Sequence, residues 1–346
     1  MTTRNLLYLP LCAAALTVGT LAFNHVSCAN IARPQVHHVQ APLDAPRAAT
    51  PLKPAPKGAT PSAELAAQIP QLKGRLVLLS MPYSPRVRRK ITTWTYLPPG
   101  YDDPQNAYKT YPVVYVLHGQ PGTWTDCYLS GKVEVMADKL IASGKLPPLI
   151  LVAFDGSGPG GPRDMTDFTN RTTDDYRVED FMVQDLVPWV DATYRTVATP
   201  SGRALWGYSG GGYGALNVGL KHPDVWGTLC SHAGFYDPAD DGKVMRNALG
   251  APGPAWQTNN PLVTAASLAQ NTGLHVYMED SPNAEDYPKF QHLAALLRQH
   301  GVDVDTQEHN KAHSWKVIAI NCQDSLTFAA QRFAASPADA APVIVQ

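Results

Sequence analysis

The sequence predicts a doubly wound α/β domain, a mostly parallel sheet with helices on both faces. Three observations predict it. Short, continuous, β-branched runs such as Val113–Leu117 and Leu149–Phe154 lack the alternation of a half-exposed strand, so they suit strands buried on both faces. Segments of helical spacing separate these runs, as crossovers between parallel strands require. A glycine-rich turn follows the short strand Arg203–Trp206 and opens onto a small-residue helix reaching Lys221.

The elements follow in order. Arg75–Ser80 and Lys90–Leu97 read as strands, the second alternating like a hairpin or edge pair. The cluster Pro98-Pro99-Gly100-Tyr101 is a turn, and Val133–Ser143 between the two buried strands fits a helix. Val183, Leu186, Val187, Val190 and Tyr194 recur at helical spacing, with Pro188 as a kink point. Trp226–Ser231 and Leu274–Met278 complete the apolar strands. Tyr287, Phe290, Leu293, Ala294 and Leu297 mark an amphipathic helix, Val302–Gln307 an edge strand and Cys322–Phe333 a closing helix. Together they form one domain over residues 68–335, with no internal repeat.

The flanks have a different character. Arg4 followed by the uncharged apolar run Leu6–Phe23 and the small residues around Ser27-Cys28-Ala29 read as an export signal over residues 1–29. An uncleaved anchor is the alternative, because the run is about long enough to span a bilayer. A lipid-modified Cys28 is disfavoured by the polar His25 three residues before it. Either way the bulk of the chain is expected outside the cytoplasm, secreted or in the cell envelope. Residues 30–67, rich in Pro and Ala, read as a solvated linker, and residues 336–346 as a flexible tail. His37-His38 in the linker carries no metal-site signal.

Composition excludes some partners. The 28 Lys and Arg nearly cancel the 29 Asp and Glu with no basic stripe, which argues against nucleic acid. Cys127, Cys230 and Cys322 have no CxxC spacing. One disulfide and buried free thiols are equally compatible with them, and no metal or cofactor is expected.

The chemistry concentrates in Trp206-Gly207-Tyr208-Ser209-Gly210-Gly211-Gly212-Tyr213-Gly214. This G-x-S-x-G lies between a strand and a helix, the context of a nucleophile elbow. Gly207 and Gly211 would remove side chains that collide across the strained turn. The absence of a following G-K-[ST] argues against a phosphate loop. A serine hydroxyl needs a base. His313, in the loop between the edge strand and the closing helix, is the first candidate and His309 the second. The acid is expected beyond Leu274–Met278, where Glu279, Asp280, Glu285 and Asp286 are candidates and Asp280 is favoured. The turn His118-Gly119-Gln120-Pro121-Gly122 supplies the other half of an oxyanion hole. Gln120 N–H and Gly210 N–H are its expected donors, with His118 a buttress of the turn.

Further markers join these motifs: Tyr115-Val116-Leu117-His118-Gly119, Asp185-Leu186-Val187-Pro188-Trp189-Val190, Tyr194-Arg195-Thr196 and His313-Ser314-Trp315. Over about Lys90 to Phe333 the chain resembles the esterase D-like group of α/β hydrolases, which includes feruloyl esterases and mycolyltransferases. The resemblance implies the α/β-hydrolase fold, Ser209 as nucleophile, His313 as base and an oxyanion N–H from Gln120. The chain departs from the group at the acid. Met278-Glu279-Asp280-Ser281-Pro282 lacks the usual glycine turn, and the helix around Phe290-Gln291-His292 offers no carboxylate where the mycolyltransferases carry theirs. Three functions follow: an esterase acting on small-molecule, glycan or lipid esters, an acyltransferase with a sugar hydroxyl as acceptor, and a non-catalytic binding protein on the same fold. The loop Asp155–Pro162 and Trp124 are expected to rim the pocket.

Overall fold

In the computed structural model the described residues are 71–333, apart from 271, 311 and 312, together with Gly58 and Ala67. The export signal, most of the linker and the tail lie outside them. The strands are β1 (Arg75–Ser84), β2 (Arg89–Leu97), β3 (Val113–Leu117), β4 (Ile150–Phe154), β5 (Arg203–Tyr208), β6 (Thr228–His232), β7 (His275–Asp280) and β8 (Asp303–Glu308). They form one sheet in the order β1-β2-β4-β3-β5-β6-β7-β8. β2 pairs antiparallel with β1 and β4, and every other pairing is parallel. This is the α/β-hydrolase fold.

The continuous apolar runs now have a reason. Val113, Tyr115 and Leu117 face one core, while Val114 and Val116 face the other. β4 divides likewise, with Ile150, Val152 and Phe154 against Leu151 and Ala153. Successive side chains leave opposite faces of a strand, so a sheet covered on both sides needs apolar residues at every position. The edge strand β8 has no such need, and its DVDTQE is half-exposed or exposed throughout.

The expected kink near Pro188 takes the form of a π-helical turn over Met182–Leu186, between α-helical segments Val178–Phe181 and Val187–Thr193. Val187 N–H bonds Met182 O there, one residue further back than in an α-helix. Pro188 has no N–H with which to resume the ordinary ladder in the next position. The closing helix spans Trp315–Arg332, starting seven residues before the expected Cys322. Its first two turns carry mostly half-buried positions, which blur the apolar period. Short helices at Trp124–Leu129, Gly242–Leu249, Pro254–Thr258 and Pro261–Ala266 carry too few turns for periodicity to reveal. Cys127, Cys230 and Cys322 are buried free thiols. No helix among the described residues is long and apolar enough to cross a membrane.

Candidate active site

Parallel register brings the C-terminal ends of four strands together. Leu117 lies beside Gly207, Tyr208 beside His232 and His232 beside Glu279. The crevice outside these ends is where open α/β sheets carry their sites. Ser209 leaves β5 there and caps the helix Gly210–Lys221 with φ 58° and ψ −124°. A non-glycine residue in that conformation is strained, and the neighbours must enforce it. Ser209 N donates to His232 O at 2.9 Å, and Tyr213 N donates to Ser209 O at 3.0 Å. The glycines permit the turn. A Cβ on Gly207 would collide with Gly211 O, and one on Gly211 with Leu117 O.

His313 and Ser209 are brought together. Ser209 Oγ lies 3.0 Å from His313 Nε2 across 104 positions of sequence. The ring of His313 packs against Tyr208 at 4.8 Å between centroids, and Trp315 packs against the same tyrosine at 4.6 Å. The residue preceding the serine therefore orients the imidazole. His313 keeps an exposed edge, yet the surrounding protein desolvates it and pulls its pKa below the ordinary 6.5. At neutral pH it is the unprotonated imidazole that can accept the hydroxyl proton.

Gln120 and Gly210 also meet. A Cβ built on Gly210 would lie 3.3 Å from Gln120 Cβ, and one on Gly119 would lie 3.5 Å from Ser209 Cβ. As first residue of its helix, Gly210 has an N–H without an intrahelical acceptor. His118 is fully buried and buttresses the turn as expected. Its Nδ1 meets Gly119 O at 2.9 Å, and Gly156 N donates to its Nε2 at 3.1 Å. Burial lowers its pKa, which keeps it neutral. The loop Asp155–Pro162 braces the same turn, since Ser157 Oγ donates to Gly122 O and Gly122 N to Pro162 O.

The Esterase family model matches residues 84–317 of this sequence, which is about two thirds of the chain. The chain belongs to the esterase family. It is 32% identical over 143 residues to an esterase of Mycobacterium tuberculosis, covering 38% of this chain and 27% of that protein. It is 31% identical over 162 residues to an endo-1,4-beta-xylanase/feruloyl esterase of Xylanibacter ruminicola, covering 45% and 21%. The matches thus span about a quarter of those relatives' own lengths. Among solved structures, a ferulic acid esterase superposes with a TM-score of 0.65 at 20% identity, over 75% of this chain and 99% of its own, a likeness of fold.

Asp280 is not brought to His313. It is buried, its Oδ2 accepts from Tyr236 OH at 2.7 Å, and its Oδ1 accepts from Ser281 N at 2.7 Å. Among the described residues no carboxylate hydrogen-bonds or ion-pairs with the His313 ring. The physical reason is that β7 continues through Asp280, so adjacent carboxylates leave on opposite faces. Glu279 takes the other face and becomes the hub of a buried network. His309 Nε2 lies 2.9 Å from its Oε1, Asn321 Nδ2 donates at 3.0 Å, Tyr277 OH at 3.1 Å, and His232 Nδ1 stands 3.2 Å from Oε2. Burial alone would raise the Glu279 pKa, but the imidazole of His232 and hydrogen bonds from Asn321 and His309 outweigh it and bring it down to about 2. His309, the second candidate base, is thereby engaged with Glu279. Glu285 and Asp286 instead line a separate cavity of about 500 Å³ with Phe235, Ala239, Asp240 and Lys289.

Sequence reasoning missed Tyr208 as the support of the base and Asp167 beside the elbow. Tyr208 had a readable signal in its adjacency to Ser209. Asp167 had none, since a loop carboxylate ordinarily reads as solvated.

Proposed function

We propose that this esterase-family chain is a serine esterase acting outside the cytoplasm. It would cleave carboxylic esters through an acyl-enzyme on Ser209 with His313 as general base. The observation that carries this reading is the 3.0 Å approach of Ser209 Oγ to His313 Nε2 on a strained elbow. As the oxygen attacks the ester carbonyl, its proton passes to Nε2 and the carbonyl oxygen becomes an anion. Gln120 N–H and Gly210 N–H receive that charge, helped by the N-terminal dipole of the helix Gly210–Lys221. Collapse expels the alcohol, which takes the proton back from His313. Water then repeats the cycle on the acyl-enzyme and releases the acid. The apolar, uncharged Leu6–Phe23 run supports export, with small-molecule, glycan or lipid esters as substrates.

The test is hydrolysis of p-nitrophenyl esters together with labelling by a fluorophosphonate. Ser209→Ala is expected to abolish labelling and to lower kcat by at least about 10³-fold, the scale for losing a nucleophile. A variant that kept its turnover would overturn the mechanism.

A further inference from the structure

Asp167 is a carboxylate that the mechanism above leaves unused, and its setting is unusual. It is 0% exposed, and neither of its oxygens has a hydrogen-bond partner. Its backbone is left-handed at φ 44°, as is that of Phe168 at φ 60°. Strained backbone and an unsatisfied buried carboxyl both cost stability, so the surrounding structure must hold them against that cost. The carboxyl points at the elbow. A Cβ built on Gly210 would lie 2.5 Å from Asp167 Oδ1. The segment is also tied to the other side of the oxyanion hole, because Thr166 N donates to Gln120 Oε1 at 2.8 Å. The carboxyl thus sits behind Gly210, and the residue before it holds the Gln120 side chain.

We infer that Asp167 is a positioning residue of the oxyanion hole, holding Gly210 in place while neutral and shutting hydrolysis down when it ionises. The inference rests on the esterase reading and deepens it. A carboxylic acid carries no net charge to oppose the developing oxyanion. A carboxylate buried there opposes it strongly, because low-dielectric surroundings screen the two charges poorly. The groups that face Asp167 favour the neutral form. Asp241, at the start of the helix Gly242–Leu249, adds like charge, and the buried Tyr213 faces it from the elbow helix. No Lys, Arg or His forms an ion pair with Asp167 among the described residues. Burial first, and Asp241 second, raise its pKa to about 8.

The experiment is a pH–rate profile from about pH 6 to 10 on a p-nitrophenyl ester, with Ser209→Ala as the blank. Burial lowers the His313 pKa below 6.5, so its own titration can only raise the rate with pH and predicts no alkaline fall. For the wild type, kcat is expected to fall on the order of tenfold or more as pH rises through about 8. Asp167→Asn keeps the shape and tolerates the left-handed backbone. It is expected to abolish the alkaline fall, so that its own kcat at about pH 10 stays close to its kcat at about pH 7. Asp241→Asn, which leaves Asp167 in place, is expected to move the alkaline fall to lower pH. A flat wild-type profile with activity present would overturn the inference alone, as would an unchanged fall in both variants. An inactive wild type, or turnover that survives in Ser209→Ala, overturns the esterase reading and this inference with it.

Discussion

Two buried carboxylates flank the elbow serine, and they sit in opposite electrostatic states. Glu279, two strands from Ser209, receives polar contacts from His232, His309, Asn321 and Tyr277, and its pKa is pulled down to about 2. Asp167, behind Gly210, has no partner at either oxygen, and its pKa is pushed up to about 8. Both are 1% exposed or less, so burial does not separate them. The difference teaches that in a dry interior the partners decide whether a carboxyl is charged. On the Glu279 side the charge organises a network that ties β6, β7 and the closing helix together. On the Asp167 side the absence of hydrogen-bond partners leaves a carboxyl whose charge can respond to pH against Gly210.

The sharpest way to break this comparison is to remove Glu279. Glu279→Ala removes the shared acceptor of four polar side chains and is expected to destabilise the fold by about 3–5 kcal/mol, the range for losing one member of a buried charged cluster. Urea denaturation monitored by tryptophan fluorescence would measure it. Asp167→Asn, by contrast, should leave stability unchanged or raise it, because no bond is lost. A loss as large as that of Glu279→Ala would mean Asp167 has structural partners after all.

The two groups also predict opposite pH dependences of stability. The folded pKa of Glu279 is depressed, so its contribution is present above about pH 4.5 and is lost as pH falls towards 2, on the order of 3 kcal/mol. The folded pKa of Asp167 is raised, so the unfolded chain ionises first. Its carboxyl therefore lowers stability progressively from about pH 4 to 8, with no further change above. Thermal melts across about pH 2–9 should lose the slope below about pH 4.5 in Glu279→Gln and the decline between about pH 4 and 8 in Asp167→Asn.

The smallest expected effect concerns Asp280. With Tyr236 and Ser281 as its partners and none at His313, Asp280→Asn should change kcat by less than about threefold. An essential triad acid would cost about 10⁴-fold. A steady-state assay against p-nitrophenyl butyrate separates these outcomes.

Much of the site was legible in the sequence because it is built from local patterns. The strand before Gly207, the serine between glycines and the helix after it specify the elbow within a dozen residues. The continuous apolar runs specify a sheet covered on both faces. His313 could be placed by its position between an edge strand and a closing helix, with Trp315 following. The short helices after β6 escaped because periodicity needs more than two turns to register.

Other facts were decided only by tertiary structure. Glu279 and Asp280 are neighbours in sequence and alike in chemistry, yet one joins an imidazole network and the other a tyrosine hydroxyl. The extra length of β7 sends their side chains to opposite faces. Asp167 reads as an ordinary loop carboxylate until the fold lays Gly210 against it. Local order follows from the period of side chains along the chain. The charge state of a buried acid follows from what distant segments bring within about 3 Å of it, which no spacing along the sequence records.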